Sequence, residues 1–149
     1  MYDNILIPTD GSEGTELAMD HALDLAETYD ATVHALFVVD TGYLYSGIED
    51  SPVNWDAVLS ELEEDGKRAV NAAFEQAADR GIDLDRELLQ SSNIHKAILE
   101  YADENDVDLI VMGTHGRTGF DRYLLGSVTE KVVRTSEIPV LTVPMRGSD

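Results

Sequence analysis

Short runs of consecutive apolar residues alternate along the chain with longer segments in which apolar residues recur every three or four positions. The short runs are typical of strands buried on both faces, and the longer segments are typical of helices with one buried face. The predicted strands cover residues 5–7, which end at Pro8, and residues 33–39, 87–89, 109–112 and 140–143. Their alternation with helices predicts one α/β domain over residues 1–149, with a parallel, doubly wound sheet and right-handed crossovers.

Four helices are predicted between these strands. Ser12 and Asn93 are the expected N-cap residues of the first and third helices. The fourth is predicted from Ser127 to about Thr135, because Ser127-Val128-Thr129-Glu130 fits a capping box. Residues 40–56 are predicted to be irregular, and the second helix ends before Gly81. The positions with helical spacing are Leu17, Ala18, His21, Ala22, Leu25, Ala26, Tyr29, Val58, Leu62, Ala69, Val70, Ala73, Ala77, Ile94, Ala97, Ile98, Tyr101 and Ala102.

The loops that follow the strands are the candidate ligand sites. In an open α/β sheet, ligands bind beyond the carboxyl ends of the strands, where the strand order reverses. The loops at that edge are residues 9–12, 39–56, 90–93 and 113–126, and the last contains four glycines in fourteen residues. Glycines let backbone N–H groups approach phosphate oxygens, and the helix start predicted at Ser127 adds the positive end of its dipole.

The charge distribution also favours an anion site in the fourth loop. The chain carries 30 acids and 10 bases, a net charge of −20, yet residues 113–134 carry four bases and two acids, a balance of +2. The remaining 127 residues therefore carry 6 bases and 28 acids, a balance of −22. The alternative interpretation is that the glycines only turn the chain and the bases only offset local acids.

Two further side chains are candidates for this site. His115 is a candidate contact to ribose or phosphate, and the alternative is a solvated loop histidine. Asp10, at the end of the first strand, can accept a hydrogen bond from a ribose hydroxyl or lie near a metal ion. Asp-Gly-Ser is also ordinary chemistry for a turn from strand to helix.

Composition excludes several other classes of protein. A surface this acidic repels nucleic acid and anionic lipid. The absence of cysteine excludes a disulfide scaffold, a thiolate zinc site and a cysteine nucleophile. Neither a signal peptide nor a membrane span is apparent, so a cytoplasmic protein is expected. Aspartate (17) exceeds glutamate (13) and lysine is scarce (three), which favours a halophile's protein over a merely acidic mesophile's.

The fourth loop resembles that of the nucleotide-binding subgroup of the universal stress protein family. That subgroup carries Gly-x2-Gly-x9-Gly-Ser/Thr after its fourth strand, and Gly113, Gly116, Gly126 and Ser127 match it with every spacing kept. The segments 5–12 (ILIPTDGS) and 138–143 (IPVLTV) are also family-like, so the resemblance covers nearly the whole chain. Phe37 stands where many members have histidine before the paired aliphatic residues.

The resemblance implies a Rossmann-like sheet of order 3-2-1-4-5 that binds ATP where the strand order reverses, with Mg²⁺ carried on the phosphates. It also implies a homodimer joined through the last strand, Val140, Leu141, Thr142 and Val143. The residues that it places around the nucleotide are Pro8, Thr9 and Asp10 near adenine and ribose, the Val38 backbone at adenine, Met112 and Gly113 at ribose, and Gly116, Gly126, Ser127, Val128 and Thr129 at the phosphates. His115 and Arg117 complete the candidate contacts.

The motifs indicate a binding protein rather than an efficient enzyme. The chain has no GxxxxGK[ST] loop, no GxGxxG loop and no identifiable catalytic base. An ATP-dependent sensor or switch in stress response, with slow hydrolysis at most, is therefore expected. One alternative is a flavodoxin-like electron carrier, although Asp10, Glu13 and Glu16 would repel a flavin phosphate after the first strand. The other is a nucleotide-free dimeric interaction module.

The excess of acidic residues predicts a salt-dependent stability. At low ionic strength the 20 excess negative charges repel one another. Dissolved salt screens them, and at 1 M salt the range of this repulsion falls to about 3 Å. We expect the melting temperature to rise from dilute buffer to molar KCl in a thermal scan followed by circular dichroism. A flat or falling curve contradicts the halophile interpretation.

Overall fold

A computed structural model describes residues 2–10, 13–41, 55–114 and 122–144. Five strands and four helices lie within these ranges. In chain order they are β1 Asn4–Pro8, α1 Glu13–Tyr29, β2 Thr32–Asp40, α2 Trp55–Asp79, β3 Leu84–Ser91, α3 Ile94–Glu104, β4 Leu109–Gly113, α4 Arg122–Thr135 and β5 Val140–Val143. All strand pairs are parallel and their order is β3-β2-β1-β4-β5, which confirms the predicted Rossmann-like, doubly wound sheet.

The sheet separates two apolar cores. Helices α1 and α2 cover one face, where Ile5, Ile7 and Val111 are fully buried. Helices α3 and α4 cover the other face, where Leu6 and Ile110 are fully buried. Successive residues of a strand point to opposite faces. A central strand covered on both sides therefore needs apolar residues at every position, which explains the consecutive apolar runs in the sequence.

Two elements extend beyond their predicted bounds. Strand β3 has eight residues, and the prediction of only 87–89 missed its first half because Asp85 and Arg86 interrupt the apolar pattern. An edge strand tolerates such charges, since one of its sides faces solvent. Helix α2 begins at Trp55, inside the segment predicted to be irregular. The other positions of that segment beyond Thr41 lie outside the described residues.

The inner face of α1 differs from the predicted one. Met19 and Leu23 are buried, whereas His21 is exposed and Tyr29 is 37% exposed. Helix α1 packs against β1, β2, β4 and β5, so a broad stripe of small and large apolar residues faces the sheet. The predicted cap Ser12 lies outside the described residues, whereas Asn93 caps α3 as predicted, its side chain accepting a hydrogen bond from the Lys96 N–H.

The start of α4 corrects the prediction at Ser127. The helix begins at Arg122, so Ser127 lies inside it and is not its N-cap. Arginine and leucine are good helix formers, and residues 122–125 (RYLL) favour helix strongly enough to continue through Gly126, whose cost is about 1 kcal/mol.

Helix α2 packs unusually close to the sheet at Gly66. A Cβ atom added at this position would lie 2.7 Å from Cδ1 of Phe37 and would also overlap the Leu88 side chain. Both residues belong to strands on which α2 lies, so the missing side chain lets the helix backbone approach β2 and β3.

A buried polar cluster joins three elements toward the amino end of the sheet. The His34 ring lies 2.9 Å from Tyr101 Oη through Nδ1 and 3.1 Å from Asn4 Oδ1 through Nε2. Because Asn4 Oδ1 can only accept, Nε2 carries the proton and the Tyr101 hydroxyl donates to Nδ1. Burial lowers the pKa of His34, an effect that Asp85, 3.9 Å away, partly opposes. Burial also raises the pKa of Tyr101 to about 12.

The neutral His34 predicts a loss of stability in mild acid. Its pKa is lower in the folded protein than in the unfolded chain, so the unfolded chain takes up more protons as the pH falls below about 6.5. The free energy of unfolding should therefore decrease from about pH 7 to about pH 5. Urea titrations should show a weaker decrease in His34→Gln and an unchanged one in the control His21→Gln, whose residue is exposed. Equal pH slopes in all three proteins would contradict this account.

Candidate functional site

Strands β1 and β4 are paired at one end and separate at the other. Within the described residues, their ladder consists of the pairs Ile5–Leu109 and Leu6–Ile110. Beyond it, β1 continues beside β2 to the pair Pro8–Leu36, and β4 continues beside β5 to the pair Gly113–Val143. The β1–β4 ladder therefore ends before the carboxyl ends of the two strands, at the place where the strand order reverses. We call the region between these two ends the crevice, because it is the usual ligand position in this class of fold.

Pro8 explains why the ladder stops. The Thr9 N–H donates to the Leu36 carbonyl of β2 at 2.8 Å. Consecutive residues of a strand direct their backbone groups to opposite sides, so Pro8 is directed toward β4. Proline has no N–H, and β1 therefore cannot donate to β4 at this position. The crevice opens where that hydrogen bond would have formed.

The amino ends of the same two strands are tied together. The Asp108 N–H donates to the Asn4 carbonyl at 2.9 Å. The Asp108 carboxylate accepts from the N–H groups of Asp3 and Asn4 at 2.9 and 3.3 Å. The junction is thus closed at one end and open at the other.

The backbone of Val38 is directed toward this open end. The Thr32 N–H donates to Asp3 and the Leu36 carbonyl accepts from Thr9, so even-numbered residues of β2 face β1. The ladder with β1 ends at Leu36, two residues before Val38. Val38 thus lies beyond the last β1–β2 pair, and its backbone groups are directed to the side on which Thr9 and Asp10 follow β1.

The Gly113 carbonyl is directed into the crevice from the opposite side. The N–H groups of Ile110 and Thr114 donate to the carbonyls of Pro139 and Val143, at 3.0 and 3.2 Å. Even-numbered residues of β4 therefore face β5, and Gly113 faces β1. Its carbonyl accepts a hydrogen bond of 3.0 Å from Thr129 Oγ1 of α4.

The structure brings part of the predicted site together. The half-buried Pro8, Thr9 and Asp10 lie at the end of β1, and the buried Met112 and Gly113 lie at the end of β4. On α4, Ser127 is exposed, Val128 is half-buried and Thr129 is buried. Gly126 lies within the same helix. His115, Gly116 and Arg117 lie outside the described residues, so their roles stay predictions.

The basic segment of the sequence is spread along a helix rather than gathered at one point. Arg134 lies in the last turn of α4 and pairs with Glu130 at 3.2 Å. At 1.5 Å per residue, it is about 18 Å along the axis from Arg122. Lys131 is exposed in the same half of the helix. Two of the four bases are thus distant from the helix start, where an anion would benefit from the dipole.

The described ranges contain neither a cluster of metal-ligating side chains nor a helix suited to span a membrane. No group of three or more histidine, cysteine, aspartate or glutamate side chains there is arranged to hold a metal ion. None of the described helices is long and apolar enough to cross a membrane.

Comparison with known proteins agrees with the fold. The universal stress protein family model matches residues 1–144. Universal stress protein MJ0531 of Methanocaldococcus jannaschii is 38% identical over 143 residues, which cover 96% of this chain and 82% of that protein. The solved structure of MJ0577, a second universal stress protein of that organism, superposes with a TM-score of 0.80 at 32% identity, covering 99% of both chains.

A third similarity concerns a family member with a bound ligand. A universal stress protein crystallised in complex with cAMP superposes with a TM-score of 0.72 at 26% identity, covering 97% of this chain and 99% of that one. The family model spans nearly the whole sequence, and the relatives match it over nearly its whole length. The chain therefore belongs to the universal stress protein family.

Proposed function

We propose that this protein binds ATP in the crevice between β1 and β4 and acts as a nucleotide-dependent sensor or switch in stress response. The observation that carries the proposal is the separation of these two strands after Leu6 and Ile110, which leaves a cleft at the carboxyl edge of the sheet. Support also comes from the family member crystallised with cAMP, which is an adenine nucleotide.

The chemistry around the crevice suits the parts of an adenine nucleotide. The Val38 backbone offers a donor and an acceptor side by side, a pair that matches the edge of an adenine ring. Asp10 can accept from a ribose hydroxyl, and the family resemblance assigns Met112 and Gly113 to the opposite wall. The phosphates are then assigned to the glycine loop and the first half of α4, with His115, Gly116, Arg117, Gly126, Ser127 and Val128 as the proposed contacts.

Binding rather than rapid hydrolysis follows from the available side chains. Phosphoryl transfer needs a group that positions the attacking water and charges that stabilise the transferred phosphoryl group. The sequence offers neither a P-loop lysine nor an identifiable base, so slow hydrolysis at most is proposed. Mg²⁺ would be held by the nucleotide phosphates, in keeping with its preference for phosphate oxygens and water.

The two alternative functions are distinguished from ATP binding by the small molecule that the protein releases on denaturation. A flavodoxin-like carrier would be yellow and would release flavin on denaturation. A nucleotide-free interaction module would release nothing and bind no nucleotide. Chromatography of the supernatant from the purified, denatured protein distinguishes these from a colourless protein that releases adenine nucleotide.

The role of Pro8 provides a test of the crevice. Pro8→Ala restores an N–H directed toward β4, so one more ladder hydrogen bond can form and narrow the cleft. Such a bond is worth about 1 kcal/mol, so affinity for Mg-ATP in a calorimetric titration should fall about fivefold. Pro139→Ala is the matched control, because Pro139 adjoins β4 at the other end of the sheet.

The results of this titration test the location of the ATP site and the proposed function separately. Unaltered affinity in Pro8→Ala would contradict the assignment of ATP to this crevice. Absence of any Mg-ATP binding by the folded wild-type protein would contradict the proposed function itself.

We also propose that the protein is a homodimer joined through β5. The two edges of the sheet differ: β3 carries Asp85, Arg86 and Glu87, whereas Val140–Val143 has no charged residue. Charged side chains protect an edge from pairing with another strand, and their absence invites it. Leu141 is 36% exposed on this unprotected edge. A two-fold axis beside β5 would pair it antiparallel with its copy.

A charge placed at the β5 edge tests the dimer. Leu141→Asp brings two carboxylates together across the axis, so light scattering behind a sizing column in high salt should show a shift from dimer to monomer. Gln90→Asp adds the same charge on the exposed side of β3 and should leave the dimer intact. A wild-type protein that elutes as a 16.4 kDa monomer refutes the proposal.

A further inference from the structure

The hydroxyl of Thr129 already has a partner inside the protein. It donates to the Gly113 carbonyl at 3.0 Å, in a buried hydrogen bond between α4 and the end of β4. The Thr129 residue is 5% exposed. A threonine hydroxyl has one hydrogen, so it cannot donate to Gly113 and to a phosphate oxygen at the same time.

This hydrogen bond compensates for the separation of the central strands. The Gly113 carbonyl is directed toward β1, but in the described residues the β1–β4 ladder ends three positions earlier, at Ile110. A buried carbonyl without a donor is unfavourable. The Thr129 hydroxyl supplies the donor that β1 does not, and it comes from α4, which packs over the opposite face of the sheet from α1.

We propose that Thr129 is a positioning residue of the nucleotide site and that its hydroxyl is not a phosphate ligand. The inference rests on the proposed function and revises the role that the family pattern gives to this residue. By fixing the Gly113 carbonyl, Thr129 sets the backbone at the end of β4, which forms the ribose wall of the crevice. It also holds the phosphate-side helix α4 against that strand.

The two roles differ in how affinity depends on the phosphates. A phosphate ligand contributes to ATP binding and nothing to adenosine binding. A residue that positions the ribose wall contributes equally to adenosine, AMP, ADP and Mg-ATP, because all four contain the ribose.

The experiment is a calorimetric titration of Thr129→Val with these four ligands. Valine keeps the shape of threonine and removes the donor, so we expect affinity for all four to fall by a similar factor, about fivefold. Thr129→Ser keeps the hydroxyl and should restore most of the affinity. Thr135→Val is the matched control, since the Thr135 hydroxyl donates to the Lys131 carbonyl at 2.6 Å at the other end of the same helix.

A measurement without nucleotide accompanies the titrations. The ¹³C chemical shift of the Gly113 carbonyl should change in Thr129→Val and stay near the wild-type value in Thr129→Ser and Thr135→Val. If Thr129→Val does not fold, Thr129→Ala takes its place in both measurements.

Three results would overturn the inference. A loss that grows with the number of phosphates, with adenosine unaffected, makes the hydroxyl a phosphate ligand. Unchanged affinity for all four ligands, or an unchanged Gly113 carbonyl shift, removes the positioning role. If the wild-type protein binds none of the four ligands, the proposed function fails as well, and this outcome is distinct because it appears before any substitution.

Discussion

The absence of an N–H group at Pro8 ends the hydrogen bonding between the two central strands of the sheet. β1 and β4 are the adjacent strands from which the chain winds outward in opposite directions, and Pro8 stands at the position where β1 would next donate to β4. Without that donor the two strands follow separate neighbours, β2 and β5. The resulting cleft lies at the edge of the sheet where the backbone of Val38 and the carbonyl of Gly113 are directed inward.

Strands β1 and β4 separate at their carboxyl ends but are held together by hydrogen bonds at their amino ends. Asp108 accepts from the backbone of Asp3 and Asn4, and Asn4 in turn contacts the buried ring of His34. The His34 ring also contacts the Tyr101 hydroxyl of α3, the helix that covers this face of the sheet. Backbone and side-chain hydrogen bonds at the amino edge thus fasten β1, β2, β4 and α3, while the carboxyl edge is left for a ligand.

The chain combines the fold of the universal stress protein family with a strongly acidic composition. Its net charge of −20 contrasts with a balance of +2 between residues 113 and 134. Within that segment, the Thr129 hydroxyl joins α4 to the Gly113 carbonyl at the end of β4.

The sequence by itself determined the fold class, the order of the helices and strands, and the edge of the sheet where a ligand would bind. These follow from local patterns. Strand β4, Leu109–Gly113, is buried on both faces and therefore needs consecutive apolar residues. The Asn93 side chain caps α3 by accepting a hydrogen bond from a residue only three positions away. The start of α4 was misplaced because the capping residues at Ser127 and the helix-forming residues before it give conflicting local signals. Only the tertiary structure showed that Pro8 is directed toward β4 and that the Thr129 hydroxyl contacts Gly113, sixteen positions away. The direction of Pro8 depends on the register of β1 with its neighbouring strands, and the Thr129–Gly113 contact depends on how α4 packs against β4. Both involve groups that are distant in the sequence, so local patterns do not specify them.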